Sequence, residues 1–316
     1  MIEKILSIDF LISTLRLMTP LLFTAMAAVI GGKASVLCIA YESIMLCAAL
    51  GGVLASAFSG NLIVGMLIGI SSGCIIALIF GYFVLYLNAP PLLAGLALNT
   101  LGSGMTVYVV YLMTGMKQDT STLLSLKYPV INLPIIENIP IIGRLLSGHN
   151  LLVYLSFLSV LFVWFLLNKT KLGIHIRAVG TNPSAAASVG INVNRTKLIA
   201  LLISGVLASF GGMYLSMAYL PYFTTDMTAG RGFISIAAQN LGQGDPILTT
   251  LFSFIFGAAM SLGNISQSFR LPAQFASMMP YLFTIFGVWI RGYQLTRKEM
   301  REKKGLIGRQ TLKYGK

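Results

Sequence analysis

Charge is what this sequence lacks. Only 10% of its 316 residues are Asp, Glu, Lys or Arg, where a soluble domain carries about a quarter. A water-facing surface needs those charges, so the deficit excludes a large soluble domain more firmly than the 56% of hydrophobic residues does. The scarcity is also patterned. No charged residue occurs between Glu42 and Lys117, and further charge-free gaps run Arg144–Lys169, Lys197–Asp226, Asp245–Arg270 and Arg270–Arg291. One helical crossing needs roughly 20 apolar residues; most gaps fit one crossing and the first fits three. Cysteine is scarce too. Cys38, Cys47 and Cys74 all lie in apolar stretches, whereas a disulfide framework uses even counts in polar loops. Neither H-E-x-x-H nor G-x-x-x-x-G-K-[ST] occurs, and His149 and His175 fall in predicted loops. No metal site, no catalytic residue and no ATP hydrolysis are therefore expected on this chain. The first long apolar run, after Arg16, lacks a small-residue cleavage site, so no cleavable signal peptide is expected.

What is present is a series of hydrophobic spans: 10–32, 36–58, 62–87, 91–115, 150–168, 198–220, 232–243, 246–266 and 272–291. They predict an all-α, polytopic transmembrane bundle of about nine to ten helices. The span 232–243 is too short for a crossing and is bounded by Gly230, Gly232, Gly242 and Gly244, which predicts a broken or re-entrant helix. Irregular backbone survives at membrane depth only where protein or water satisfies it, and such breaks often line transport paths. The net charge of +13 comes mostly from two flanking blocks. Loop 168–197 carries Lys169, Lys171, Arg177, Arg195 and Lys197 with no acid, and the tail from Arg291 is strongly basic. The positive-inside rule makes both cytoplasmic, a better account of the charge than nucleic-acid binding. Loop 116–149, rich in proline and mixed in charge, becomes the outer loop, which leaves the N-terminus outside. The expected organisation is a permease domain over 1–292 and a basic tail over 293–316.

Loop 168–197 contains a short capped helix on local grounds. Asn182 suits the N-cap, Pro183 the first helical position and Gly190 a left-handed stop. Between them, Ser184 to Val189 carry mostly small side chains. Such a knob fits a cleft on another protein, although an ordinary surface turn has the same local signals. On the span 62–87, Gly65, Gly69 and Gly73 form a stripe that predicts close helix packing.

The stretch Gly173-Ile-His-Ile-Arg-Ala-Val-Gly-Thr-Asn-Pro-Ser-Ala-Ala-Ala-Ser-Val-Gly-Ile191, continuing to Lys197, resembles the permeases of ABC importers of the ribose, branched-chain-amino-acid and nucleoside types. Leu15-Arg-Leu-Met-Thr-Pro20, Ala94-Gly-Leu-Ala-Leu-Asn-Thr100, Met227-Thr-Ala-Gly-Arg-Gly-Phe-Ile234, Asp245-Pro246 and Phe256-Gly257 agree with it. Resemblance covers roughly residues 10–292. It implies that loop 168–197 is the coupling segment that docks into a separate ATPase, through Arg177, Gly180, Asn182, Pro183, Ala185, Ala186, Gly190 and Ile191. It implies a substrate path along Glu42, Asn99, Gly230, Arg231, Phe233, Gln239 and Asn240. It also implies partners: the ABC ATPase subunit, which holds ATP and Mg, a second permease chain, identical or paralogous, and an extracytoplasmic solute-binding protein or lipoprotein. No cofactor belongs on this chain. Two departures bear on the cargo. Cys38-Ile-Ala-Tyr-Glu-Ser-Ile-Met45 loses the family's Asn and both glycines, and Leu241-Gly-Gln-Gly-Asp245 differs after the broken helix.

Individual polar residues have two readings each. An ionisable group at membrane depth is costly, so Glu42 either orients a polar substrate or caps broken backbone beside Gly51-Gly52 or pairs with Lys33. Asn99 lines the path or serves as interhelical glue, and Arg16 snorkels. Gly242-Gln-Gly-Asp245 matches the G-x-G-D of intramembrane aspartyl proteases, but that chemistry needs a second carboxylate, and none lies in an earlier span. A plasma-membrane importer subunit is thus expected, moving a small polar solute. The outer loop and the G-R-G-F-I entry look most like the nucleoside branch, with simple sugars or a riboflavin-like vitamin as alternatives. A stand-alone secondary transporter is the competing class, and it would need more coupling charges than Glu42.

Overall fold

The computed structural model describes residues 8–123, 125–131 and 147–267, with single residues at 278, 282–285, 287, 289 and 293. Its centre is α1 (Ile8–Lys33), whose apolar window is 83% buried inside the chain. Pro20 lies within α1 and removes the donor to the Arg16 carbonyl. Hydroxyls bond to the carbonyls around this gap: Thr19 Oγ1 donates to Leu15 O at 2.8 Å and Thr24 Oγ1 to Pro20 O at 2.9 Å. Apolar surroundings tolerate a proline in a helix on such terms.

Around α1 stand α2 (Tyr41–Ser59), α3 (Leu62–Leu85) and α4 (Pro91–Thr114), then a two-residue pair of strands, β1 (Val130–Ile131) and β2 (His149–Asn150). The strands are antiparallel, with Val130 opposite Asn150 and Ile131 opposite His149. Next come α5 (Leu151–Lys169), α6 (Lys171–Thr181), α7 (Pro183–Ser188) and α8 (Val193–Tyr214). A π-helical turn, Leu215–Tyr219, extends α8, and α9 (Arg231–Leu241) and α10 (Pro246–Gln267) follow. Among the described residues, seven helices are long and apolar enough to cross a membrane: α1 to α5, α8 with its π turn, and α10. They coincide with seven of the expected spans, and α9 is the expected short one. The span 272–291 and the tail 293–316 lie outside the described residues apart from the single positions named above, so the described helices do not fix a total of nine to ten.

Close approach is built on glycine. A Cβ at Gly69 of α3 would sit 3.0 Å from the Ala48 carbonyl and one at Gly73 3.3 Å from that of Ile44, so α2 and α3 meet backbone to backbone, as the stripe predicts. Gly212 of α8 leaves no room for a methyl against the Met45 carbonyl. Gly51 and Gly52 belong to this same packing. They lie inside an unbroken α2, against Ser72 and Met217 respectively, and the expected break there does not exist.

Three further differences have local causes. Residues 34–40 are not helical and α2 starts at Tyr41, later than the expected 36. Ser35 in a left-handed turn (φ 54°) ends α1 and sends the chain into an extended run. An 11-residue helix, α6, occupies what read as loop. Thr170 caps it by accepting the Gly173 N–H at 3.1 Å, and Gly173, Ile176 and Val179 form its buried face. Finally, α7 ends at Ser188, leaving Val189 outside the helix.

At one end of the bundle the 116–131 segment closes over the π turn. The Tyr128 N–H donates to Met217 O at 3.0 Å and Ser125 Oγ to Ser216 O at 3.2 Å, which satisfies carbonyls the wide turn leaves open. Burial pushes the Tyr128 hydroxyl up to about 12, so the ring stays a neutral wall. At the opposite end lie α6, α7 and the last turn of α1.

Replacing Gly212 with Ala is expected to cost about 1–3 kcal/mol, because a backbone carbonyl has nowhere to move. Gly104→Ala, on an α4 face with nothing within 4 Å, is expected to be neutral or to gain about 0.4–1 kcal/mol. Apparent melting temperatures of the detergent-solubilised variants separate the two; equal melting of both variants contradicts the packing described.

Candidate functional site

Two interruptions of regular backbone, residues 34–40 and 220–230, are joined where the first turn of α2 meets the start of α9. Each leaves helix-terminal N–H groups without intrahelical acceptors. At the start of α2, the N-cap Ala40 has no capping side chain, and α4 supplies one from across the bundle. Asn99 Oδ1 accepts the Ser43 N–H at 3.1 Å, while Nδ2 donates to Ile39 O at 3.0 Å. One amide thus holds both sides of the break. Gly95, one turn earlier on α4, admits this approach, since a Cβ there would lie 2.6 Å from that of Ile39. Tyr41 ties the break back to α1 by donating to Ala27 O at 3.1 Å.

The first turn of α2 then repeats the device. Glu42 is buried, and its carboxylate accepts the Gly230 N–H through Oε1 and the Gly232 N–H through Oε2, both at 2.7 Å. Gly230 is the left-handed N-cap of α9 (φ 78°) and has no side chain of its own for the purpose. A carboxylate on the positive end of a helix, with two charge-assisted bonds, is a strong arrangement. A Cβ at Gly232 would fall 2.6 Å from Glu42 Oε2 and 2.7 Å from its backbone nitrogen, so glycine is required there. Glu42 is therefore held as a cap. Its partners are the amides of α9, not Gly51-Gly52 and not Lys33.

The remaining expected path residues divide by the face of α9 they occupy. Arg231 turns back, and Nη1 donates to Met227 O at 2.9 Å and Thr228 O at 3.1 Å. Gln239 lies against Gly32 of α1, its Nε2 only 2.9 Å from where a Cβ would stand. Phe233 and Asn240, seven residues apart and so on one helix face, are exposed. Glu42 and Gly230 come together; Asn99 joins them only through α2, and Phe233 and Asn240 point elsewhere. The Gly242–Asp245 motif resolves into two helix ends. Asp245 Oδ1 accepts the Ile247 and Leu248 N–H groups at 2.9 and 3.0 Å, capping α10.

The segment 171–191 rests on α1. Gly180 of α6 sits directly on the Lys33 carbonyl, with the Lys33 carbonyl carbon 2.9 Å from the position of a Cβ. Gly173, two turns earlier, sits in the same way on the Leu166 carbonyl of α5. These two glycines let α6 lie flush, a role for Gly173 that went unread in the sequence. Asn182 caps α7 by accepting the Ala185 N–H at 3.0 Å, and Gly190 stops it in the left-handed region (φ 85°). After that stop, the Ile191 N–H donates to the Ala186 carbonyl at 3.1 Å. Ala186 itself faces inward at 3% exposure. The outward surface is instead Pro183, Ala185, Ala187 and Val189, with Arg177 and Arg195 exposed on either side. The far side of the α1 terminus touches α9: Lys33 Nζ donates to Gln243 O at 3.4 Å. Sequence inspection missed Lys33 in this role, although a cation at a helix C-terminus is the recognisable signal.

Comparison with known proteins places this geometry. The family described as "Branched-chain amino acid transport system / permease component" matches residues 10–288. The chain is 30% identical to the nucleoside ABC transporter permease protein NupC of Lactococcus lactis, over 84% of this chain and 87% of that one. It is 30% identical to the putative glucose ABC transporter permease protein TsgC13 of Haloferax volcanii, over 82% and 78% of the two chains. It is also 30% identical to the guanosine ABC transporter permease protein NupQ of Bacillus subtilis, over 91% and 92%. Among solved structures, PsaBC from Streptococcus pneumoniae shares the fold at a TM-score of 0.51 and 13% identity, over 86% of this chain and 89% of that one.

If Glu42 is a cap, Glu42→Gln loses one of two acceptors and exposes a buried N–H to an amide donor, at about 1–3 kcal/mol. Lowered melting together with lowered uptake is the expected result. A variant that melts normally and loses only uptake points instead to a substrate ligand.

Proposed function

The chain belongs to the permease family of branched-chain amino acid transport systems, the membrane subunits of ABC transporters, and from that premise we propose that it forms the translocation path of an ATP-driven nucleoside importer. The pore is shared with a second permease chain, ATPase subunits bind the 171–191 platform, and a solute-binding protein docks at the end formed by residues 116–131 and 147–150. The platform end is cytoplasmic, as its basic residues indicate, and so is the tail from Arg291. One observation carries the mechanism. The last turn of α1 is gripped on one side by Gly180 and touches the α9 terminus on the other through Lys33. Displacement of the platform on ATP binding therefore reaches the short helix without passing through a flexible linker. α9 is held at its other end by Glu42, so it moves as a unit with α2. Its exposed face, Phe233 and Asn240, lines the path against the second permease. This alternation between rigid arrangements is the population shift that ATP drives.

Nucleoside cargo is favoured by the naming of NupC and NupQ, both similar over more than four-fifths of the chain. A simple sugar is the second reading, favoured by the glucose permease relative. Uptake of radiolabelled guanosine and glucose in a deletion strain, with and without this gene, decides between them. Loss of guanosine uptake alone supports the proposal; loss of glucose uptake alone overturns it. Persistence of uptake after deletion of the partner ATPase identifies a secondary transporter instead.

The outward face of α7 gives a second test. Ala187→Glu introduces a carboxylate into the docking surface, where an unpaired buried charge costs several kcal/mol. The variant is expected to reach the membrane normally while losing substrate-stimulated ATP hydrolysis, with Ala187→Ser nearly silent. Normal stimulation by the Glu variant removes α7 from the coupling role.

A further inference from the structure

A cavity of about 230 Å³ opens beside the π turn, at the end away from the coupling platform. Its lining includes Arg16, His149, Asn150, Tyr214, Ala218 and Tyr219. None of these belongs to the path along α9. Arg16 stands one turn before Pro20, where α1 loses a backbone bond. Its guanidinium donates no hydrogen bond to a described residue, and neither does the Tyr219 hydroxyl. The Asn150 amide, by contrast, is engaged: Nδ2 donates to Tyr128 O at 2.8 Å and Oδ1 accepts the Leu152 N–H at 3.1 Å. Asn150 is thus a fixed wall, and Arg16 and Tyr219 are the groups left to meet a ligand.

The lining sets the ligand's chemistry. Drug-sized pockets run from about 300 to 1,000 Å³, so a cavity of this size suits one or two fused rings. Arg16 is the single Lys or Arg among the described residues of the lining, whereas lipid headgroup sites gather several cations. A guanidinium is planar, stacks on aromatic faces and pairs bidentately with adjacent acceptors, and the O6/N7 edge of guanine is such a pair. Tyr214 is buried and Tyr219 is 48% exposed, which supplies an aromatic floor and an aromatic rim for stacking. π-helical turns recur at functional sites, and here the turn ends on the rim residue itself.

We propose that this cavity is an entry subsite for the base of a purine nucleoside, with Arg16 pairing to the acceptor edge and Tyr219 stacking over the ring. The proposal rests on the nucleoside reading above but concerns a site apart from the α9 face. The test uses the full transporter, permease pair with ATPase, in right-side-out vesicles. Ala218→Cys places a thiol in the cavity wall, and its reaction with a membrane-impermeant maleimide is followed against the chain with its native cysteines only. Guanosine and inosine are expected to slow the labelling several-fold, with ribose and cytidine much weaker. Adding Arg16→Met is expected to abolish protection while leaving the unprotected labelling rate unchanged; Arg16→Lys keeps little protection, lacking the planar fork. Guanosine uptake without purine protection overturns the subsite and leaves the importer reading standing. Protection without guanosine uptake supports the subsite and overturns the importer reading. Neither uptake nor protection overturns both, and protection that survives Arg16→Met overturns the assigned pairing.

Discussion

Two N–H groups on one carboxylate hold the interior of this protein in register. Glu42 is the point at which α2, entering from the break after α1, fastens the start of α9. Without it, the N-terminus of an 11-residue helix lies in an apolar interior with its first donors unanswered, a cost of the kind that limits membrane proteins to helices and barrels. Asn99 solves the same problem one step earlier. The two caps act in series, α4 on α2 and α2 on α9, so the irregular centre is as firmly specified as the regular helices around it. Neither cap is local in sequence: 56 residues separate Asn99 from Ser43 and 188 separate Glu42 from Gly230.

The same separation explains what was legible beforehand. Helices α3, α4, α5, α8 and α10 follow from charge-free runs and α1 from the apolar run after Arg16, which are properties of contiguous sequence. So does α7, whose cap, proline and terminal glycine lie within nine residues. Glu42 carried its own warning, an acid where none is cheap, and capping was among its readings. Its partners were not visible, because Gly230 and Gly232 read as flexible punctuation and not as donors cleared of side chains. α6 escaped for the opposite reason. Its buried face is Gly173, Ile176 and Val179 with Gly180, and half of those positions are glycine, which has no side chain to mark a face. Residues 36–40 read as span because they are apolar; hydropathy reports burial, not hydrogen bonding.

The proposed coupling follows from how few connections are soft. The platform bears on α1 through a glycine with no clearance, α1 touches α9 through Lys33 and the Gly32–Gln239 contact, and α9 is clasped to α2 at its other end. Interiors so filled do not deform gradually; they exchange one arrangement for another. A membrane subunit driven by a separate motor needs that property more than it needs a chemical group.

The π turn at Leu215–Tyr219, closed by the Leu220 N–H on Leu215 O at 3.0 Å, carries a consequence for chain length. A π turn holds one residue more than the α turn that would replace it. Removing one residue elsewhere in a span rotates everything beyond it by about 100° and draws a polar end into the bilayer. Here a lost residue can be absorbed by ordinary α winding, and only Tyr219 and its immediate neighbours turn away. The span therefore carries its own slack of one residue, at the end where the chain leaves the membrane.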